Sequence, residues 1–205
     1  HKHRRRQRQM CIRDRDMLMR LHQNCPELDV HVDGMGKRIS KLYLENSRFI
    51  RDPRALNDAW NWSRRVSSKS DRKKALDSDV IISTSGMLQG GPAIWYLNRL
   101  RHDIENEIFF TGYQAKDTGG RKLQSTSRID IFGKEVDIPL NWDKFSFSTH
   151  AGHKEITEFV YDCEPEEVVI YHTDPNEARP HLVTELEKNG IKTHSPINGE
   201  SYNIG

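Results

Sequence analysis

The stretch DVIISTSGMLQGGPAIWYLNRL, residues 79–100, decides the fold. It begins with DVIIS, an apolar, β-branched run with little alternation, which predicts a strand buried on both faces. It ends with AIWYLNRL, whose apolar residues recur with helical spacing, introduced by Gly-Gly-Pro at 90–92. A loop rich in hydroxyls and glycine, Thr-Ser-Gly at 84–86, connects the two. Strand, loop and helix in this order form the repeating unit of α/β proteins.

Similar patterns extend the unit in both directions. Upstream, LDVHV (28–32) alternates apolar and polar residues and reaches a turn at Asp33-Gly34, which predicts another strand. Downstream, EIFFTGYQ (107–114) predicts a further strand, and RIDIFGKEVDI (128–138) predicts two strands that turn near Gly133. Helices are predicted for MGKRISKLYLEN and DPRALNDAWNWSRRV, the second capped by Asp52, and the polar segment SSKSDRKKALDS is interpreted as solvated surface. The fold class predicted is α/β.

Two histidines lie where strand-like runs give way to helical patterns. FSFSTH ends at His150 and VVIYH ends at His172, 22 residues later. Side chains at such junctions commonly carry the chemistry of α/β proteins. After His172, Asp174 and Glu177 have the spacing of a capping box, and Gly190 marks the end of the helix that follows.

Composition excludes several classes of protein. The 205 residues are 35% apolar and 30% charged, as in a globular chain, and no apolar run approaches the roughly 20 residues that span a bilayer. The basic start is followed by charged residues, so it does not form a signal peptide; we expect a cytoplasmic protein that has no membrane partner. Cysteines 11, 25 and 163 form neither a CxxC pair nor an even set, which argues against a disulfide framework or a cysteine zinc cage.

The net charge of +2 is unevenly distributed. Residues 1–15 carry seven Lys or Arg and one Asp, so residues 16–205 are net acidic. A basic arm can contact nucleic acid. However, MCIRDR at 10–15 also resembles a translated sequencing adapter, and we assign no function to this leader.

Five segments, taken in order, carry a family resemblance. They resemble the metallo-β-lactamase fold nucleases of the β-CASP family, especially archaeal relatives of the endonuclease subunit of the cleavage and polyadenylation specificity factor. The segments are VDGM (32–35), ISTSGMLQGGPAIWYL (82–97), FFTGYQAKDTGGRKL (109–123), FSFSTHAGHKEITEFV (145–160) and IYHTDPNEA (170–178).

The resemblance implies an architecture of two parts. After the leader at 1–15, residues 16–146 would form a β-CASP domain with a parallel-rich sheet flanked by helices. Residues 147–205 would then form the C-terminal closing segment of the metallo-β-lactamase αββα fold. In isolation this segment would leave an apolar sheet face or edge uncovered, so we expect homo-oligomers.

The resemblance also implies the roles of the site residues. His150 would assist the leaving group at the scissile phosphate, and His172 would bind one of two zinc ions. Ser148 and Thr149 beside His150, together with Ser85 and Gly86 in the first loop, would hold phosphate oxygens of an RNA substrate.

Departures from the family pattern bear on activity. This chain has STHAG and YHTD where relatives usually have SAHAD and VHGE, so Gly152 replaces an acidic residue. The family's main metal motif, HxHxDH, does not occur in the 205 residues. Because a catalytic zinc usually has three protein ligands, we expect this chain alone to be inactive and to bind zinc poorly.

Three functions stay open at this point. The first is a part of a zinc-dependent hydrolase that cleaves RNA, in an endonucleolytic or exonucleolytic mode. The second is a non-catalytic β-CASP module that binds RNA or a nuclease partner, which Gly152 and the missing motif favour. The third is a free-standing nucleotide-binding α/β domain, which a mononucleotide would stabilise against heat.

Overall fold

The structure is a computed structural model that describes residues 2–145, 151–173, 175–176, 178–197, 199 and 201, with side chains from residue 13 onward. Within this part of the chain it has eight α-helices and nine strands. The helices are α1 (Lys2–Asn24), α2 (Gly36–Glu45), α3 (Pro53–Trp62), α4 (Lys69–Lys74), α5 (Gly91–Leu100), α6 (Gly119–Thr126), α7 (His153–Cys163) and α8 (Ala178–Lys188). The strands are β1 (Val30–Asp33), β2 (Arg64–Arg65), β3 (Val80–Ser83), β4 (Glu107–Phe110), β5 (Arg128–Ile131), β6 (Lys134–Asp137), β7 (Asn141–Lys144), β8 (Glu167–Val169) and β9 (Lys192–His194).

The chain divides into two compact units, residues 1–147 and 148–205. Among the described residues, four of the five strand pairings are parallel, and the β5–β6 hairpin is antiparallel. The predicted α/β class with a parallel-rich sheet is therefore confirmed. No helix in the described ranges combines the length and the apolar character needed to cross a bilayer.

A parallel sheet of order β2-β1-β3 is central to the first unit. Both faces of β3 are covered as predicted, because Ile82 packs with Leu18 and Val30 while Ile81 packs with Val66 and its neighbours. Asp33 and Ser83 are paired in register at the carboxyl ends of β1 and β3. The loops that follow these two strands therefore emerge side by side.

The second half of this unit has its own apolar core. Strands β4 and β7 pair in parallel, and the β5–β6 hairpin turns at Phe132-Gly133, where the sequence predicted a turn. Leu123, Ile129 and Ile138 are fully buried here. Burying each such side chain contributes about 1.5–3 kcal/mol to folding.

The second unit packs α7 and α8 with the parallel pair β8–β9. Val160, Ile170, Leu182 and Leu186 form its buried core. The predicted stop at Gly190 is confirmed: its φ is +79°, its N–H donates to the Glu187 carbonyl, and the next N–H donates to the Leu186 carbonyl. This is the usual glycine termination of a helix.

Several local predictions were wrong in their boundaries. The predicted helix at 52–66 ends at Trp62, and Arg64–Arg65 instead form the edge strand β2. The Asp52 cap itself is confirmed, since its carboxylate accepts from the Ala55 N–H at 2.9 Å. The polar segment after β2 contains α4, whose Ser68 and Asp71 form a capping box that the sequence reading missed.

The basic leader is continuous with the first helix. From the sequence we predicted a leader at residues 1–15 and a helix that starts at residue 16. This boundary was wrong, because α1 begins at Lys2. Side chains of the last leader residues pack on helix α2 within the first unit: the Arg15 guanidinium lies 3.6 Å from the Tyr43 ring centroid, and the Asp14 carboxylate lies close to Gly36.

Candidate active site

The loops after β1 and β3 are bonded to each other. The Thr84 N–H donates to the Asp33 carbonyl at 3.3 Å, and the Met35 N–H donates to the Thr84 hydroxyl at 3.0 Å. Gly34 has a φ of +90°, and a Cβ at this position would overlap the Thr84 hydroxyl. The turn therefore requires glycine both for its backbone conformation and for this close approach.

The buried carboxylate of Asp33 binds side chains from neighbouring helices at this end of the sheet. Its side chain is 1% exposed and accepts from Arg72 Nε at 2.7 Å and from the Tyr96 hydroxyl at 3.0 Å, while Lys37 Nζ lies 3.4 Å away. Burial alone would raise the pKa of Asp33. The hydrogen bonds from Arg72, the Gly34 N–H and Tyr96 outweigh it and hold the pKa below its ordinary value. The carboxylate is therefore a charged structural centre and not a proton donor.

The Thr84–Gly86 loop places Ser85 and Gly86 next to two helix starts. Ser85 has a φ of +75°, and its carbonyl accepts from the Leu88 N–H at 2.9 Å. Its hydroxyl lies close to Gly91 at the start of α5, and the Gly86 carbonyl lies close to Gly120 in the first turn of α6. A non-glycine residue in this conformation is strained, and such strain is commonest at functional positions.

His172 is an exposed side chain on a turn. The sequence placed it on the last residue of a strand, which is wrong: β8 ends at Val169, and His172 follows three residues later with a φ of +60°. Arg179 holds this turn by donating to the Thr173 hydroxyl at 3.0 Å and to the Thr173 carbonyl at 3.4 Å. The helix also starts at Ala178 and not at Pro175, so Pro180 lies in its first turn, where a missing N–H costs little.

The described residues do not by themselves form a zinc site. Among them, no group of three His, Cys, Asp or Glu side chains is close enough to hold a metal ion, and His172 offers a single imidazole. A catalytic zinc normally has three protein ligands. The residues present therefore do not fit a zinc pair without further ligands.

The remaining predicted site residues lie outside the described part of the chain. These are His150, Ser148 and Thr149, and the capping pair Asp174 and Glu177 lies outside it as well.

Two other histidines were interpreted as structural. His153 pairs with Glu185 and so connects α7 to α8, and His194 Nε2 lies 2.7 Å from the Glu167 carboxylate on the adjacent strand. Lys192 and His194 hold the pKa of Glu167 below its ordinary value. Both contacts agree with a structural interpretation.

A cleft that the sequence did not indicate lies beside the Ser85 loop. It has a volume of about 750 Å³ and is bordered by the starts of α5 and α6 and by the tip of the β5–β6 hairpin. Lys116, Arg121 and the aromatic ring of Phe132 line it. From the sequence we predicted a polar loop at residues 115–123, whereas the structure has helix α6 there. The signal that could have predicted this helix is Thr118, which caps α6 by accepting from the Arg121 N–H at 3.3 Å.

Comparison with known families agrees with this geometry. Residues 15–123 match the Beta-Casp domain, and residues 135–196 match the Zn-dependent metallo-hydrolase RNA specificity domain. The chain belongs to the β-CASP family of metallo-β-lactamase fold proteins, as the sequence motifs predicted.

Individual relatives are archaeal. The chain is 29% identical over 197 residues to the probable RNase MJ4 of Methanocaldococcus jannaschii, covering 94% of this chain and 46% of the relative. It is 30% identical over 177 residues to RNase aCSPSF2 of Saccharolobus solfataricus, with 85% and 36% covered. It is 35% identical over 153 residues to the transcription termination factor FttA of M. jannaschii, with 69% and 24% covered. The chain thus spans between about a quarter and a half of the length of these relatives.

Proposed function

We propose that this chain supplies the β-CASP and RNA-specificity parts of a zinc-dependent hydrolase that cleaves RNA. The observation that carries the proposal is the succession of the two domain matches in one chain, at 15–123 and 135–196. The relatives named as RNases share this region with 29–30% identity. RNA is therefore the substrate class that we assign.

In this proposal His172 is a zinc ligand. Its imidazole is exposed on a turn held by Arg179, so it is accessible to a metal without rearrangement of the core. The other ligands of a two-zinc site would come from residues other than those described here. Zinc would supply an activated water and stabilise the charge that develops on the phosphate.

The remaining roles concern the phosphate. His150 would donate a proton or a hydrogen bond to the leaving oxygen, a role that an imidazole side chain can fill. Ser85 lies close to the start of α5 and Gly86 lies close to the first turn of α6, and at both helix starts the backbone N–H groups and the helix dipole favour an anion. Ser148 and Thr149 would contact the phosphate from beside His150.

The second candidate is a non-catalytic module that binds RNA or a nuclease partner. Gly152 favours it, because relatives usually carry an acidic residue at this position and a glycine supplies no carboxylate to a metal-site neighbour. The backbone of Gly152 has a structural role in either case, since its N–H donates to the Glu155 carboxylate at 2.6 Å at the start of α7.

The test that separates the two candidates is the sequence of the native gene upstream of the codon for Asp16. An in-frame HxHxDH motif, followed by a further His and Asp, would support the hydrolase. A genuine start codon near residue 10 without such a motif upstream would support the non-catalytic module.

The hydrolase also predicts a biochemical result. With the complete gene product, His172→Asn should abolish zinc-dependent RNA cleavage, because one ligand of the site is lost. The matched control is His181→Asn, an exposed histidine of the same unit that lies on α8, which should retain cleavage. Full activity of the His172 variant would contradict the assignment.

Three expectations from the sequence stay predictions. They are that the 205-residue chain alone is inactive and binds zinc poorly, that it forms homo-oligomers, and that it acts in the cytoplasm. Stoichiometric tight zinc with metal-dependent cleavage by the purified chain would contradict the first. A clean monomer in light scattering at high concentration would contradict the second.

A further inference from the structure

The cleft beside the Ser85 loop has the dimensions of a ligand site. Its volume of about 750 Å³ lies within the range of about 300–1,000 Å³ that is usual for such sites. All of its lining residues belong to the first unit. Its walls come from three elements, the starts of α5 and α6 and the β5–β6 turn, so a ligand would contact backbone and side chains together.

The cleft contains cations that are free to bind an anion. Among the described residues, Lys116 and Arg121 are exposed and form no ion pair, whereas the third cation, Lys122, pairs with Glu135. Two carboxylates also line the cleft. That of Asp130 accepts from the Gly133 N–H at 2.8 Å, and that of Asp117 is exposed.

The start of α5 adds backbone donors to the cleft. Gly90 precedes the helix with a φ of +136°, Gly91 has a φ of +72°, and no side chain caps this end. An uncapped helix start leaves N–H groups without intrahelical partners. Together with Lys116 and Arg121, it makes the cleft favourable for a phosphate.

Phe132, at the tip of the β5–β6 hairpin, also lines the cleft. It is 77% exposed, has a φ of +54°, and occupies the first position of the two-residue turn between Ile131 and Lys134. Asn, Asp or Gly is the usual choice for this position, because a bulky side chain strains the left-handed conformation. An exposed phenyl ring at such a position has no stabilising role in the turn, and its flat face is available to a ligand.

We propose that this cleft binds one nucleotide of a single-stranded RNA, with Lys116 and Arg121 on a phosphate and Phe132 stacked on the base. Cationic side chains combined with an exposed aromatic ring in one groove are the means by which proteins bind single-stranded nucleic acid without reading its sequence. The inference rests on the proposed function for its choice of RNA. It adds a binding subsite formed by residues other than the histidines assigned to cleavage.

The first test measures the contribution of the ring. The purified chain is titrated into a fluorescein-labelled oligouridylate of about ten nucleotides, a length that covers the usual site sizes of single-strand binders, and binding is followed by anisotropy. Phe132→Ala should weaken binding about fivefold or more, because stacking on one base is lost. Phe132→Tyr should bind as tightly as the chain without substitutions, here called the parent chain. Phe49→Ala removes an equally exposed phenyl ring of the same unit, outside the cleft, and should bind like the parent.

An abasic oligonucleotide distinguishes stacking from indirect effects. The parent chain and Phe132→Ala should bind it equally, since the probe offers no base to the ring. Equal melting temperatures of the two proteins show that the substitution has not altered folding.

The second test concerns charge. Arg121→Gln should reduce the slope of log binding constant against log salt by about 0.7, the value expected for one phosphate contact on a single strand. Arg54→Gln, at an exposed position on α3 away from the cleft, should leave the slope unchanged. Asp117→Asn removes a carboxylate from the cleft and should strengthen binding.

The outcomes separate this inference from the proposed function. If the parent binds the oligonucleotide but Phe132→Ala and Arg121→Gln bind equally well, the subsite is overturned and RNA remains the substrate class. If the parent does not bind RNA, the assignment of RNA fails and the subsite fails with it. If uridine monophosphate displaces the RNA completely and binds as tightly as the oligonucleotide, the cleft is a mononucleotide site and the inference is overturned.

Discussion

Arg72 Nε lies 2.7 Å from Oδ2 of Asp33 and so connects helix α4 to the carboxyl end of β1 across 39 residues of sequence. Tyr96, from α5, donates to the same oxygen at 3.0 Å. One buried carboxylate thus holds two helices against the strand whose following turn contacts the Ser85 loop. The geometry of the proposed phosphate-binding loop depends on this ion pair.

Loss of the Arg72 contact should destabilise the first unit. Arg72→Leu leaves the Asp33 carboxylate buried with fewer donors, and we expect a loss of about 2 kcal/mol in the free energy of unfolding. Urea denaturation measures it. Lys73→Leu, at the exposed neighbouring position, is the control and should change stability by less than about 0.5 kcal/mol. Identical midpoints for the two variants would contradict a structural role of the pair.

The Thr84 hydroxyl should be required for the fit of the two loops. Thr84→Val removes the acceptor of the Met35 N–H and should cost about 1 kcal/mol of stability. Thr84→Ser keeps the oxygen and is the matched control, with most of the stability retained. Thermal unfolding of both variants checks this, and a valine variant as stable as the serine variant would show that the hydrogen bond is dispensable.

Two glycines of the second unit should differ in their tolerance of alanine. Gly190 has a φ of +79°, where a Cβ is strained, so Gly190→Ala should destabilise by about 1 kcal/mol. Gly152 has a φ of −76°, and a Cβ there would only touch the Glu155 carboxylate at 3.5 Å. Gly152→Ala should therefore be close to neutral. Chemical denaturation of both proteins tests the contrast, which fails if the two losses are equal.

Asp14 should make stability depend on pH. Burial raises its pKa to about 7, against the nearby charges of Arg15 and Arg13, and its Oδ2 has no hydrogen-bond partner. A carboxyl whose folded pKa lies above its unfolded value of 3.8 loses stabilising free energy as the pH rises from about 4 through 7. Asp14→Asn should therefore stabilise the chain by at least about 1 kcal/mol at pH 8 and by much less at pH 4.

Melting curves at the two pH values measure this difference. Asp16→Asn, at an exposed position two residues further along α1, is the control and should show no such pH-dependent gain. An equal gain from Asp14→Asn at both pH values would mean that the Asp14 carboxyl does not titrate between them.

Local patterns predicted the elements that depend on local physics. DVIIS became β3, Asp52 caps α3, the 128–138 segment turns at Gly133, and Gly190 ends α8. The motif order also predicted the family. The boundaries near His172 were less predictable, because VVIYH has the composition of a strand throughout, whereas β8 pairs with the three-residue strand β9 and ends with it.

The sequence by itself determined the α/β class, the family and the residue types available for chemistry, because these follow from periodicity, capping and motif order along the chain. Only the tertiary structure decided that Arg72 turns inward to Asp33 and that Lys116, Arg121 and Phe132 share one cleft. Both arrangements involve residues from separate elements. A local sequence pattern does not show which distant side chain will pair with a buried charge, or which cations will line the same cleft as an exposed ring.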